Sequence, residues 1–388
     1  MLSLFRKNEK DEIIMKLEEF KSGNYTQEYE YKAFLPNSIN SNWIWEDSEI
    51  NILLDEANRK LGEINAFSYL IPNIDMFIKM HIVKEANTSS RIEGTKTEID
   101  EAIMKEEQIS PEKRDDWLEV HQYIESMNSA IMMLEKLPLS NRLIKKTHNI
   151  LLKTGRGENK TPGEFRKSQN WIGGKNLLDA KFIPPHNRYL NDLMSDLEEF
   201  INDKKNKVPH LIKLALIHYQ FETIHPFLDG NGRVGRLLIT LYLLDNEILT
   251  KPALYLSDYL EQNREKYYQC LTDARNNNIV QWVKFFLKGI ITTSENTKLT
   301  FIQIIGLQKE MIVKSHTFGS RSEKIIKIIN KFYENPILSV KELVKITGIP
   351  DKTMRSLINV MIEKDIIKEM TGYGRNKLFV FDKYLKLF

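Results

Sequence analysis

The sequence predicts a mainly α protein: an all-helical core with a small β-hairpin, a helical N-terminal region and a C-terminal winged helix-turn-helix. Three observations lead there. Pro209 to Ile224 sets Ile212, Ala215, Leu216 and Tyr219 at i, i+3, i+4 and i+7, the spacing of a helix face. The glycines from Gly230 to Gly235 follow this helix without a β-branched run, and Leu237 to Leu244 beyond them is apolar and helix-compatible. Near the end, Met354, Leu357, Ile358 and Met361 repeat the helical spacing.

Taken in order, an amphipathic start (Ile13 to Phe20) leads into Gly23 to Asn42, whose Gly, Asn, Ser, Pro36 and tyrosines read as extended or loop. A helical block runs from about Glu46 to Lys136, with one helix at about Asn73 to Gly94. The core, about Leu137 to Thr293, is helical apart from one hairpin, suggested by Trp171-Ile172 with Gly173-Gly174 and a distal Phe182-Ile183. Lys314 to Ser322, with Gly319 and three serines, reads as a linker. The expected domains are therefore 1–136, 137–313 and 321–388.

The last of these reads as a winged helix. Ser339 caps a helix through Lys345, Thr347-Gly348-Ile349 turns the chain, and Asp351 starts a second helix. Ile366-Ile367 and Leu378 to Phe381 flank Thr371 to Arg375 as two wing strands. From Arg321 onward there are fourteen Lys and Arg against eight Asp and Glu, so this module carries +6 of a total of +3, and the remainder is −3. Lys352, Arg355 and Arg375 are candidates for DNA phosphates or base edges, and a protein partner is an equal alternative.

With 388 residues the chain holds two or three domains with sizeable cores. Its one cysteine, Cys270, excludes an internal disulfide and a cysteine-rich zinc site. The start is too short in apolar residues for a signal peptide, and Leu237 to Leu244 is far too short to span a membrane. A cytoplasmic protein without membrane contact is expected. A net charge of +3 is too mild to argue for nucleic acid by itself.

The chemistry gathers in residues 225–236, His-Pro-Phe-Leu-Asp-Gly-Asn-Gly-Arg-Val-Gly-Arg. Arg233 and Arg236 are three apart and share a helix face, and their planar forks suit phosphate oxygens. The turn Gly230-Asn231-Gly232 offers backbone N–H groups to an anion, and the helix that follows adds its positive end. Asp229 is placed to hold the Mg²⁺ that travels with a nucleotide, and His225 titrates near neutrality, as a general base needs. Gly230-x-Gly232-x-x-Gly235 also fits a dinucleotide fingerprint, but that motif requires a preceding strand, and here a helix precedes it.

This run resembles the signature of the Fic family, H-x-F-x-[DE]-G-N-G-R-x-x-R, at every specified position. The resemblance implies transfer of AMP from ATP to a Ser, Thr or Tyr hydroxyl of a target protein, with Mg²⁺. His225 would be the base, Asp229 the metal residue, and Gly230, Asn231, Gly232, Arg233 and Arg236 the phosphate site. Thr161 to Gly174 and Phe182 to His186 resemble the family's flap, about 161–186, where Trp171, Ile172, Gly173, Gly174, Phe182 and Ile183 would align the target segment by strand addition. Leu254 to Tyr268 resembles the adenine-side helix and its lead-in, with Gln262 and Asn263 as purine neighbours.

Ser89-Ser-Arg-Ile-Glu-Gly94 resembles the family's inhibitory pattern, [ST]-x-x-x-E-[GN]. Ser89 and Glu93 share a helix face, and Gly94 is suited to end that helix. By the resemblance, Glu93 pairs with Arg236 in the place of the γ-phosphate and suppresses transfer. Within the family, transfer of another nucleotide and removal of AMP are alternatives. A different class of function is a DNA-binding regulator that senses nucleotide without transferring it.

Overall fold

A computed structural model describes residues 14–71, 74–372 and 376–388. It is mainly α, as expected, and the chain opens on four short strands: β1 (Ile14–Lys16), β2 (Gly23–Glu28), β3 (Tyr31–Pro36) and β4 (Asn42–Ile44). Helices α1 (Ser48–Leu70), α2 (Ile74–Ile92), α3 (Ile99–Ile103) and α4 (Arg114–Leu134) follow. Next come α5 (Asn141–Leu151), α6 (Leu190–Asn202), α7 (His210–Ile224), α8 (Asn231–Asp245), α9 (Ser257–Gln262), α10 (Arg264–Arg275) and α11 (Ile279–His316). The last stretch is α12 (Ser322–Glu334), β5 (Ile337–Ser339), α13 (Val340–Thr347), α14 (Asp351–Glu363), β6 (Lys368–Glu369), β7 (Leu378–Val380) and α15 (Asp382–Leu385).

Residues group into two compact units. One holds Met1–Arg59, Glu125–Ile248 and Gln262–Ile291. Its axis is α7, in which every residue from Leu211 to Ile224 is buried. A helix apolar on all sides has to be wrapped on all sides, and here α6, α8, α10 and β3 do so. The approach of α8 depends on Gly235, where a Cβ would stand 2.3 Å from Glu222 Oε1. His218 pins the same crossing, with Nδ1 3.0 Å from the Gly235 carbonyl and Nε2 3.0 Å from the Tyr267 hydroxyl. Burial pushes its ring down to about 3. The ring is therefore neutral, donating at one nitrogen and accepting at the other.

In the same unit, β2 and β3 form an antiparallel hairpin in register from Gly23↔Pro36 to Glu28↔Tyr31. The amphipathic start forms β1, paired parallel with β4, and a short 3-10 turn that buries Leu17.

The other unit holds Lys60–Ile124, Leu249–Glu261 and Thr292–Phe388. In it α2 packs against α3 and α12. The Phe77 ring meets Tyr333 and Tyr384 edge-on at 5.4 and 5.9 Å, and His81 meets Phe301 and Phe388 at 5.2 and 5.0 Å. The buried Glu85 carboxylate accepts from the Tyr123 hydroxyl at 3.1 Å and the Ser257 hydroxyl at 2.5 Å. Beyond the end of α2, Ile103 and Met104 pack on Ile337, Leu378 and Val380, and Lys105 pairs with Glu342 at 2.5 Å.

The C-terminal stretch forms a three-stranded antiparallel sheet in the order β5-β7-β6. Ser339 caps α13 in a reciprocal box with Glu342, and Gly348 ends it in the left-handed region at φ +72°. Met354, Leu357, Ile358 and Met361 form the buried side of α14, as their spacing implies. Three details differ from expectation. Ile337–Ser339 is a strand too short to show a period. Ile366 and Ile367 are buried just ahead of β6 instead of forming it. The linker begun at Lys314 is helical as far as His316, because Ile304, Leu307 and Met311 carry a buried stripe forward and the Ser315 hydroxyl bonds back to the Met311 carbonyl at 2.7 Å.

Because Phe77 is fully buried between two tyrosines, Phe77→Ala should lower stability by about 3–5 kcal/mol. Denaturant unfolding followed by circular dichroism would check it. A loss under 1 kcal/mol would mean that α2 and the C-terminal stretch do not share a core.

Candidate active site

The site begins where α7 ends. His225 caps the helix in the left-handed region at φ +50°, ψ +61°, with its N–H on the Phe221 carbonyl at 2.9 Å. That conformation is unfavourable for a residue with a Cβ, so neighbours must impose it. Arg166, 2% exposed, donates from Nε to the His225 carbonyl at 3.0 Å and from Nη2 to the Pro185 carbonyl at 2.5 Å. Asn170 donates from Nδ2 to the carbonyls of His225 at 3.2 Å and Phe227 at 2.8 Å. The chain turns off the helix and presents a half-buried imidazole.

The loop then closes on itself. Asn231 Oδ1 accepts from the Phe227 N–H at 2.8 Å, and its Nδ2 donates to the Phe227 carbonyl at 2.9 Å. Its amide is thus engaged by backbone, and its own N–H lies at the start of α8. Gly230 sits at φ +74°, a position that suits glycine, and the first intrahelical bond of α8 runs from the Val234 N–H to the Gly230 carbonyl at 3.0 Å. The N–H groups of Asn231, Gly232 and Arg233 lie ahead of that bond, at the positive end of the helix. Arg233 and Arg236 are buried, and Arg233 Nη2 is 3.7 Å from Asp229 Oδ1, which also accepts from the Gly230 N–H at 2.5 Å. One stretch therefore brings together a base, a carboxylate, a helix N-terminus and two guanidiniums, the parts needed to hold a polyphosphate and take a proton from a hydroxyl.

The flap is reduced to a single antiparallel bridge, Ile172↔Phe182, with Ile172 N–H to the Phe182 carbonyl at 2.8 Å. Gly173 and Gly174 turn at φ +69° and +75°, and a Cβ at Gly174 would lie 2.1 Å from the Asp179 carbonyl oxygen. Trp171 is exposed, whereas Phe182 and Ile183 are buried, and the Ile183 carbonyl accepts from the Phe34 N–H of β3 at 2.9 Å. The flap base thus continues the β2–β3 hairpin.

Other expected site residues are placed as follows. Ser89 is buried in α2, which ends at Ile92. Glu93 and Gly94 are exposed, Gly94 has φ +111°, and the Thr95 N–H reaches back to the Ser90 carbonyl at 3.2 Å, so the glycine ends the helix. Gln262 is the last residue of α9 and Asn263 the N-cap of α10. Lys352 and Arg355 are exposed on α14, where Arg355 pairs with Asp351 at 2.7 Å. Arg375 lies outside the described residues.

Sequence reasoning missed His148. On α5, its Nδ1 accepts from the Gly163 N–H at 2.8 Å, its Nε2 is 3.0 Å from the Asp229 carbonyl, and its ring stacks on Phe227 with centroids 3.7 Å apart. It ties the signature loop to the segment leading into the flap. Arg166 and Asn170 lie within the flap run but their part in holding His225 has no local sequence signal.

Burial holds His148 down at about 4. A histidine depressed in the folded state contributes stability that is complete above its ordinary value near 6.5 and is lost as pH falls toward 4, here about 3 kcal/mol. His218 and His81, both held near 3, act in the same direction. Melting temperature should therefore fall from pH 6.5 to 4, and His148→Gln should flatten that slope. Parallel slopes for parent and variant would contradict the role of this ring.

The Fic/DOC family N-terminal profile matches residues 52–132, and the Fic/DOC family profile matches residues 138–243. Over 124 residues the chain is 36% identical to the protein adenylyltransferase Fic of Aedes aegypti, covering 32% of this chain and 22% of that one. Over 218 residues it is 28% identical to a probable protein adenylyltransferase of Aquifex aeolicus, covering 56% and 61%. The chain thus spans less than two thirds of either relative. A crystal structure of a Fic family protein from Desulfovibrio desulfuricans superposes with a TM-score of 0.54 at 19% identity, over 87% of this chain and 96% of that one. A fragment of Fic-1 from C. elegans gives 0.51 at 19% identity, over 67% and 74%. These two likenesses are of fold. Residues 52–132 and 138–243 of this chain belong to the Fic/DOC family.

Proposed function

We propose that this protein is an adenylyltransferase that moves AMP from ATP to a Ser, Thr or Tyr hydroxyl of a target protein. The observation that carries the reading is His225, turned off α7 by Arg166 and Asn170 beside a helix N-terminus that bears two buried arginines. The hydroxyl oxygen attacks the α-phosphorus, its proton passes to the imidazole, and the bond from the α-phosphorus to the α,β-bridging oxygen breaks to release pyrophosphate. The α8 N-terminus at Gly230 to Gly232 holds the α-phosphate, Arg233 the β-phosphate and Arg236 the γ-phosphate. The Ile172 edge of the flap receives the target strand, and Gln262 and Asn263 lie on the adenine side.

Asp229 would hold Mg²⁺. Among the described residues no group of three His, Cys, Asp or Glu is gathered to hold a metal ion, and a single carboxylate suits an ion brought in on phosphates. When bound, the ion neutralises charge on the phosphates.

Glu93 suppresses the reaction in this reading by pairing with Arg236. The supporting observations are Ser89 in the last turn of α2, Glu93 just past its end and the glycine stop after them. The C-terminal module acts as a winged helix that docks on DNA or on a protein through α14, as its helix-strand-helix-helix-strand-strand order supports. No described helix is long and apolar enough to cross a membrane, and the single cysteine suits the cytoplasm. Use of another nucleotide or removal of AMP employs the same phosphate site. A nucleotide-sensing DNA regulator has no need of a held imidazole.

The decisive test is labelled AMP, supplied as α-labelled ATP, remaining on protein after denaturation. His225→Ala should lower transfer by about 10²–10⁴-fold and leave ATP binding intact. Transfer within a few-fold of the parent would remove the base assignment.

Glu93→Gly should raise self-labelling and lysate labelling, by up to about a hundredfold if the competent ATP pose is held near 1% occupancy. Arg236→Ala should abolish the gain. No activation in either assay would leave Ser89 to Gly94 as an ordinary helix end.

A further inference from the structure

One buried charge beside the signature has no part in the reading above. Glu222 lies three residues before His225 on α7, its side chain is 8% exposed, and Oε2 is 3.9 Å from His225 Nδ1. An ionised carboxylate so deep in the fold needs compensation by nearby charge or hydrogen bonds. Arg275 of α10 supplies part of it from the far side. This arginine is half-buried against α7, donates to the Glu222 carbonyl at 3.4 Å and to the Thr223 hydroxyl at 3.3 Å, and interacts electrostatically with the Glu222 carboxylate. Space for the carboxylate comes from α8, since a Cβ on Gly235 would reach 2.3 Å from Oε1 and 3.3 Å from Cδ. A glycine of the signature segment is thus spent on seating a side chain outside the signature.

We infer that Glu222 is a positioning residue for His225. It faces Nδ1, so Nε2 is the nitrogen left to meet a hydroxyl. At 3.9 Å the contact is charge to charge and longer than a hydrogen bond. Its strength therefore rises when the imidazole becomes an imidazolium. In the step itself the Nε2 lone pair takes the hydroxyl proton, Nδ1 keeps its own proton, and none moves to Glu222. The buried carboxylate offsets the positive charge that forms, which raises the pKa of His225 and so makes it a stronger base.

The other charged or titratable groups around this corner come from every packed element. Arg275 belongs to α10, Arg166 contacts the His225 carbonyl from the flap entry, Asp229 and Arg233 lie across the loop, Arg236 follows on α8, and His148 of α5 faces the Asp229 carbonyl. Four of these are arginines, and they disfavour an imidazolium. Glu222 is the carboxylate set against Nδ1.

The inference rests on His225 being the base, so one readout is independent of activity. In the full chain, with histidine ring carbons labelled and without nucleotide or Mg²⁺, the His225 ring would be titrated by NMR in the parent, Glu222→Gln and Glu222→Asp. Glu222→Gln should lower the midpoint by about one pH unit or more. Glu222→Asp, which keeps the charge but shortens the reach, should lower it by less. The buried His218 ring serves as a folding control. In AMP transfer, Glu222→Gln should move the acid limb to lower pH and cut the plateau rate about tenfold or more, leaving KM for ATP within twofold. An unchanged midpoint in a folded Glu222→Gln protein overturns the inference. A shifted midpoint in a protein that transfers no AMP would sink the proposed activity and leave the Glu222–His225 coupling standing.

Discussion

The left-handed turn at His225 is the constraint on which the rest of the site depends. Such a conformation costs a residue with a Cβ about 1–2 kcal/mol, and it persists here because Arg166 and Asn170 bond its carbonyl. Arg166 can do this only from a buried position shared with Pro185 and Ile224, so the flap entry, the flap exit and the end of α7 are fixed by one guanidinium. Once the turn is made, Asn231 closes the loop on Phe227 and α8 starts after its N-cap Gly230. Loosening one contact would release His225 and the start of α8 together.

How much of this was readable follows from the range of the contacts. His225, Asp229, Gly230, Arg233 and Arg236 lie in a twelve-residue run, so their chemistry is visible in order. Ser339 and Glu342 are equally legible, being a capping box three residues apart. His148 reaches a partner 81 positions away and Arg166 one 59 away, and nothing local marks either as part of the site. Propensity misled at Lys314 to Ser322, where serine and glycine favour a break but the apolar stripe of α11 outweighs them as far as His316. The turn before the Ile172–Phe182 bridge was visible through its glycines, whereas the bond from the Phe34 N–H to the Ile183 carbonyl, which joins it to the N-terminal hairpin, was not.

Polar groups inside the fold act as locators. His218 fixes the rotation of α7 against both α8 and α10, and Trp282 adds a bond from its indole N–H to the Ala215 carbonyl at 2.8 Å. Apolar packing alone would tolerate small slides of α8 along α7, whereas a ring bonded at both nitrogens tolerates few. The register matters because it sets where Gly235 meets Glu222 and hence where Arg233 and Arg236 point their stems.

The contacts of α2 carry a consequence for how this chain can be divided. Its Phe77 is covered by Tyr333 of α12 and Tyr384 of α15, and the turn after its glycine stop is braced by Ile103 and Met104 on the β5-β7 sheet. A fragment cut before Ser322 would leave those apolar groups facing water. The C-terminal module is accordingly no detachable accessory. It is the lining of the helix that carries Ser89, and any shortened version of the protein would need a substitute surface there to stay monodisperse.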